Sequence, residues 1–240
     1  MFNFEFVSAD LPFIIQAYIG VSDEISDISV CLVEFDCSAY RDSLYTELFI
    51  QLPKALKSSS YIRKADFLSG RYAASKILHP LGCKDNIPIG IDRAPIWPQG
   101  WRGSISHSQN WAIVVLTSSK NDFYLGVDIE AIRPVAIREI TSFFTNASEQ
   151  NLLKKCEIEY ETALTIAFSA KESLYKALYP MVRCFLGFEA ARLTEIDTCK
   201  GRFKLMLTKA LGLGLSQGCE FSGRYMIGAY GVATMIILKN

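Results

Sequence analysis

The sequence carries no excess charge of either sign: 25 lysines and arginines balance 25 aspartates and glutamates over 240 residues. That balance excludes a global field able to draw the chain onto nucleic acid or an anionic membrane, so an anionic ligand has to be met by a local basic cluster. Seven cysteines, an odd number scattered from Cys31 to Cys219, include no C-x-x-C pair and no metal-ligand spacing. They read as reduced thiols of a cytoplasmic protein. Met1 to Asp10 contains acids and no basic n-region, so it is not a signal peptide by pattern. The apolar tail Met226 to Leu238 is broken by glycines and falls short of the ~20 residues that a membrane-crossing helix needs. It reads, with the apolar patch Leu11 to Val21, as core. No repeat and no low-complexity linker divides the chain, and the serines around His107 have no Asp or Glu in obvious partnership, which leaves no sign of a Ser-His-Asp hydrolase.

What is present is apolar: 50% of the residues are hydrophobic, ample for a compact fold of one large or two small domains. Tyr61 to Leu78 repeats Ile62, Phe67, Leu68, Tyr72, Ala73 and Ile77 at helical steps, decorated by Arg63, Lys64, Arg71 and Lys76. A strand is expected at Ile28 to Phe35, and Pro80 to Trp101 reads as ordered loop with a short strand near Ile89 to Ile91. Trp111 to Leu116 and the alternating run Phe123 to Glu130, joined by the polar turn Thr117 to Asp122, read as a hairpin. Pro134 to Phe144 and Tyr160 to Tyr179 read as helices, the second closing at Pro180. Strands follow at Ala191 to Ile196, Arg202 to Leu207 and Tyr225 to Leu238. Each half thus offers a long helix with strands, an α+β body of two lobes with a seam near residues 120 to 125.

Three stretches carry chemistry. On a strand, alternate side chains share a face, so in Tyr124 to Glu130 the acids Asp128 and Glu130 converge beside Gly126, which admits a ligand or another backbone. Like charges so placed repel, and a hard cation such as Mg²⁺ would remove that cost. Taken alone the pattern also fits a solvated strand face. The second stretch, Phe168 to Lys176, sets Glu172 and Lys176 four apart on one helix face, where an ordinary surface pair is the plain alternative. The third, Gly103-Ser104-Ile105-Ser106-His107-Ser108, reads as a small polar loop offering hydroxyls, backbone N–H groups and an imidazole to a phosphate or ribose.

Together these stretches resemble the 4′-phosphopantetheinyl transferase superfamily in its larger, two-lobed class. That family carries a G-[VI]-D-x-E strand and, about forty residues later, a [FW]-[STC]-x-K-E-[SA]-x-x-K helix; Gly126 to Glu130 and Phe168 to Lys176 fit both in order and spacing. Arg93 to Gly100, the run Gly103 to His107, and the helix bearing Arg63, Gly70 and Arg71 are similar to the branch that serves enterobactin-type siderophore synthetases. The likeness covers roughly residues 61 to 180.

The resemblance implies two similar α/β lobes related by a pseudo-twofold, an N-terminal lobe of residues 1–122 contacting coenzyme A and a C-terminal lobe of residues 123–240 bearing the metal and the carrier-protein surface. It implies Mg²⁺ held by Asp128, Glu130 and Glu172. Lys171, Lys176, Ser106, His107, Arg63 and Arg71 would meet the phosphates of coenzyme A, with Arg93 a further candidate. The implied reaction is attack of a carrier serine hydroxyl on the β-phosphorus of coenzyme A, with Glu172 accepting the proton, Lys176 offsetting charge and 3′,5′-ADP leaving. Apo acyl or peptidyl carrier domains are the implied partners of a cytoplasmic monomer. The alternatives are a metal-dependent phosphate-ester hydrolase using the same acids and a non-catalytic relative that binds coenzyme A or a carrier; the second would tolerate loss of an acid or of Lys176, all of which are present.

Overall fold

A computed structural model describes residues 1–7, 11–212 and 214–239. The chain divides into two compact units, Phe2–Phe123 and Tyr124–Asn240, the latter with Met1.

The first unit is a five-stranded antiparallel sheet covered by one long helix. Its strands are β1 (Phe2–Val7), β2 (Ile14–Ser22), β3 (Ser29–Phe35), β4 (Trp101–Ser108) and β5 (Trp111–Ser118), in the order β1-β2-β3-β5-β4. A short helix α1 (Leu44–Glu47) precedes the long α2 (Tyr61–Leu78), whose range is the one its periodicity predicts. Ser60 starts α2 by accepting a hydrogen bond from the Arg63 N–H, the usual way of satisfying an orphan donor of the first turn. The buried face of α2, through Leu68, Ala73 and Ile77, packs with Phe13, Val33, Phe35, Val114 and Leu116 of the sheet and its entry. Gly70 lets α2 lie close to β4, since a Cβ there would stand 2.9 Å from Ile105 Cγ2.

The second unit repeats that plan with different lengths. It comprises β6 (Phe123–Glu130), the short helices α3 (Pro134–Glu139), α4 (Thr141–Phe144) and α5 (Ala147–Leu153), and the long helix α6 (Tyr160–Val182). The strands β7 (Ala191–Asp197), β8 (Arg202–Leu207), β9 (Glu220–Gly228) and β10 (Gly231–Lys239) follow. The sheet order is β6-β10-β9-β8-β7, with β7 to β10 paired antiparallel. Helix α6 presents a stripe of small residues, Ala163, Ala167, Ala170 and Ala177, interleaved with Leu164, Leu174 and Leu178, to Leu205, Val232 and Ile236. The molecule is therefore α+β, built of two similar sheet-and-helix units. Among the described residues no helix is long and apolar enough to cross a membrane, and all seven cysteines are free.

Three local expectations need correction. Trp111–Ser118 does not form a hairpin with Phe123–Glu130: β5 is central in the first sheet, between β3 and β4, whereas β6 pairs with β10 in the second. β5 is buried on both faces, as a central strand is, and its backbone pairs with β3 on one edge and β4 on the other, while Thr117 to Asp122 leads from one unit into the other. The hairpin that exists joins β4 to β5 through Gln109-Asn110, with Gln109 at φ 53°. Consequently Gly103 to Ser108 is strand, not loop; its serines and glycine hide a regular alternation in which Ser104, Ser106 and Ser108 are buried. Finally, α6 runs past Pro180 and stops at Arg183, which adopts a left-handed conformation (φ 50°). So near the helix end the proline costs a single N–H bond.

Candidate active site

The densest polar cluster lies where β6 meets α6. It forms because β6 is buried on both faces, unlike a solvated edge: Leu125, Val127 and Ile129 are covered on one side and Gly126 and Asp128 on the other. Gly126 is the device that brings the two elements together. A Cβ at that position would collide with the carbonyl oxygen of Ser173 and crowd Ala177, so only glycine permits the strand to press on the helix. The room beside the acids is taken by another backbone.

Two residues further along the same face, Asp128 enters α6 territory. Its Oδ1 accepts a hydrogen bond from Lys176 Nζ at 2.6 Å and its Oδ2 accepts one from Ser169 Oγ at 2.7 Å. Ser169, Glu172, Ser173 and Lys176 recur at three and four residue steps, one face of the helix. Glu172 sits within the field of Asp128: burial first, and then the Asp128 charge, push the Glu172 carboxyl above its ordinary range, while Lys176 draws it down. Two carboxylates and an ammonium thus share a small, mostly buried volume.

As the side chains stand, no three acidic, histidine or cysteine residues among those described form a closed ligand set, and Asp128 uses Lys176 as its counter-charge. The donors nevertheless suit a hard divalent cation: they are carboxylate oxygens, and the mutual repulsion recorded in the raised Glu172 is what such a cation relieves. Glu130, on the same face of β6 as Asp128, is half-buried at the strand's end.

Lys171 does not join this cluster. It is one residue, and about 100° of helix rotation, away from Glu172, and it points into the unit. Its ammonium donates to the Phe144 carbonyl at 2.6 Å and the Phe188 carbonyl at 3.3 Å and pairs with Glu149 Oε1 at 2.7 Å. An ammonium has three protons. All three are committed inside the protein, so the expected phosphate contact of Lys171 gives way to a structural role, and burial draws its pKa down.

In the first unit a second polar cluster pairs α2 with β4. The two-residue step of β4 sets Ile105 under Gly70 and His107 under Arg63 and Asp66, one to two helical turns earlier. Arg63 Nη1 lies 3.1 Å from His107 Nε2, and Asp66 Oδ2 lies 3.7 Å from His107 Nδ1. Burial raises the Asp66 carboxyl to about 6, with Arg63 opposing. Asp66 does not stand out in the sequence among the cations of α2; its position three residues after Arg63, on the same face, is the available signal. Ser106 is the neighbour of His107 but buries its side chain on the opposite face of β4. Arg71 lies one helical turn beyond Phe67, over whose ring its guanidinium stacks at 4.1 Å, and donates through Nε to the Ile87 carbonyl at 2.9 Å. Burial lowers its pKa to about 10. Arg93 has a left-handed backbone (φ 68°) within the loop closed by the Ile89–Pro95 bridge.

A cleft runs from Glu172 along α6, lined by Tyr175, Leu178, Leu186, Phe188 and Leu207. Phe185, exposed, packs its ring edge against Tyr175 at the rim.

Comparison with known proteins divides along the same two units. Residues 52–117 match the family model described as 4′-phosphopantetheinyl transferase N-terminal domain, and residues 124–214 match that of the 4′-phosphopantetheinyl transferase superfamily. Enterobactin synthase component D of Salmonella typhi is 35% identical over 167 residues, covering 69% of this chain and 68% of that protein. Its counterpart in Escherichia coli K12 is 38% identical over 148 residues, 60% of this chain and 68% of that protein. The 4′-phosphopantetheinyl transferase PptT of Mycobacterium tuberculosis is 26% identical over 181 residues, 69% of this chain and 78% of that protein.

Proposed function

Because the chain belongs to the 4′-phosphopantetheinyl transferase superfamily, and so transfers phosphopantetheine from coenzyme A to carrier proteins, we propose that Asp128, Glu130 and Glu172 are its Mg²⁺ ligands. Glu172 and Lys176 are the catalytic pair in this reading. The observation that carries it is the Asp128 carboxylate held by Lys176 at 2.6 Å on the helix face that also bears Glu172, within one mostly buried cluster. Bound there, Mg²⁺ supplies charge neutralisation and orientation of the coenzyme A diphosphate.

The protein's own groups do the rest. The serine oxygen of the carrier forms a bond to the β-phosphorus, the bond from that phosphorus to the oxygen of 3′,5′-ADP breaks, and the serine proton passes to Glu172, directly or through a water. In the metal-free protein burial raises the basicity of Glu172; as a full Mg²⁺ ligand it would lose that basicity, and a water would then take the proton. Lys176, already aimed at Asp128, offsets charge on the transferring and leaving oxygens. The apolar cleft beside Glu172 suits the pantetheine chain, and exposed Val135, Phe143 and Phe185 supply apolar surface for a carrier.

In the first unit, His107 with Arg63 meets the 3′-phosphate of coenzyme A, and Arg71 and Ser106 support that contact from behind. Loss of a charge-assisted hydrogen bond costs ~1.5–3 kcal/mol, roughly 10- to 100-fold. His107→Ala is therefore expected to raise KM for coenzyme A by about 10-fold with kcat held within about threefold. Steady-state kinetics at varied coenzyme A checks this, and a loss confined to kcat would remove His107 from the binding role.

The likeness to enterobactin synthase component D supports a carrier of siderophore synthesis as the natural acceptor. Intact-mass spectrometry of apo carriers of siderophore, polyketide and polyunsaturated fatty acid synthases, each incubated with this protein, coenzyme A and Mg²⁺, tests the reading. The expected result is a gain of one phosphopantetheine, fastest on the siderophore carrier and abolished by EDTA. Undiminished transfer in EDTA would overturn the metal assignment.

A further inference from the structure

Behind Asp128 lies a chain of hydroxyls that the reaction itself does not use. Ser169 donates to Asp128 Oδ2 at 2.7 Å; Ser169 Oγ and Thr234 Oγ1 are 2.9 Å apart; Thr234 Oγ1 in turn contacts Ser173 Oγ. All three hydroxyl residues are fully buried, and Asp128 is 3% exposed. Ser169 and Ser173 come from α6 and Thr234 from β10, beyond the segment 124–214 that the superfamily model matches.

The direction of these bonds follows from proton counting. An ionised carboxylate only accepts, so the single proton of Ser169 is spent on Asp128. In the contact between Ser169 and Thr234 only Thr234 can then donate, and its one proton is shared between Ser169 Oγ and the Ser169 carbonyl oxygen, both 2.9 Å away. Ser173 likewise divides its proton among Thr234 Oγ1 and the Ser169 and Thr234 carbonyl oxygens. The Ser169 dipole therefore points at one Asp128 oxygen, with Thr234 and Ser173 packed against it from behind. The chain fixes the Asp128 carboxylate from its buried side, with Lys176 on the other oxygen.

We propose that Ser169 and Thr234 are positioning residues for Asp128, holding its carboxylate in the orientation needed for divalent cation. This rests on the metal reading above. Outer partners that orient a ligand govern affinity as the ligand itself does, with losses of ~10- to 100-fold when they are removed. Neither substitution that tests the idea strands a donor. In Ser169→Ala, Thr234 keeps the Ser169 carbonyl as acceptor at 2.9 Å; in Thr234→Val, Ser173 keeps the Ser169 and Thr234 carbonyls at 3.1 and 3.2 Å.

The test is titration of the full chain with Mn²⁺ in the presence of coenzyme A, free Mn²⁺ being read by electron paramagnetic resonance, together with the melting temperature of the metal-free protein. Ser169→Ala is expected to weaken Mn²⁺ binding by about 10-fold or more, Thr234→Val by about threefold, and Thr234→Ser to restore wild-type affinity. Melting temperatures should stay close to wild type. Retention of Mn²⁺ affinity in Ser169→Ala, while Asp128→Asn loses it, overturns the proposal and leaves the metal site standing. Wild-type affinity in Asp128→Asn overturns the metal site and the proposal with it. A collapse of melting temperature in both Ser169→Ala and Thr234→Val assigns the hydroxyls to stability alone and also overturns it.

Discussion

Glu172→Gln is expected to abolish carrier modification, cutting kcat/KM by about 10³-fold or more, while leaving the metal-free protein at least as stable as wild type. The two halves of that expectation have one cause. Glu172 is held inside the protein next to Asp128, and burial together with that neighbouring charge raises its pKa. A carboxyl whose folded pKa lies above its unfolded value stabilises the fold in its protonated form. Its contribution is fully present below the ordinary glutamate value of 4.5 and is lost as pH rises through the folded value. Glutamine copies the protonated form at every pH. Metal-free wild type should therefore lose stability as pH climbs from the ordinary carboxylate range toward neutrality, and Glu172→Gln should flatten that slope. The same change removes a proton acceptor and a metal-seeking charge, which is why activity falls where stability does not. Thermal melts of both proteins without metal from pH 4 to 8, beside a single-turnover transfer assay, separate the two effects. Transfer by Glu172→Gln within about tenfold of wild type would contradict both roles given to Glu172, base and ligand.

The reach of the sequence in this protein followed periodicity. That Asp128 shares a strand face with Glu130, and Glu172 a helix face with Lys176, was legible because a two-residue strand step and a four-residue helix step are enough to put charges on shared faces. The range of α2 was legible for the same reason, and Ser60 confirmed its start. Lys171 went astray because a motif records which residues occur and not which way they point; 100° from Glu172, the same ammonium turns from ligand-facing to buried. β4 was hidden by composition: Gly103 and three serines look like loop, yet their hydroxyl-bearing side is the buried one. Thr234 left no trace at all. It stands among Ala233, Met235 and Ile236 on an apolar strand, and only the approach of β10 to α6 turns a strand threonine into a neighbour of the acid cluster. Pairing of β5 with β4 instead of β6 is likewise a tertiary fact, since both candidate partners of β5 follow or precede it through a short polar turn.

Lys171→Met should destabilise the protein by ~3–5 kcal/mol, the usual cost of stripping one partner from a buried ion pair. Glu149 is 2% exposed, and besides Lys171 it accepts from the backbone N–H groups of Asn146 at 2.9 Å and Leu193 at 2.7 Å. It thereby caps α5, anchors β7 and, through Lys171, ties both to α6; Asn146 completes the capping box by accepting from the Glu149 N–H. Methionine matches the lysine stem in length, so the change leaves a packed apolar chain, a buried charge without its counter-ion, and the Phe144 and Phe188 carbonyls without their donor. The cost should fall when the charge is removed too: Lys171→Met with Glu149→Gln is expected to recover part of the loss, because the stranded charge is gone even though the amide's single oxygen can accept from only one of the two backbone N–H groups. Urea denaturation of the two variants and wild type measures this as shifts in midpoint at constant slope. A loss under about 1 kcal/mol for the single variant, or no recovery in the double, would contradict the buried-pair account. The same bonds fix the rotation of α6 about its axis. With Lys171 drawn toward Phe144 and Phe188, the next side chain, Glu172, is turned toward Asp128, so the buried pair helps to determine where the carboxylate proposed to react stands.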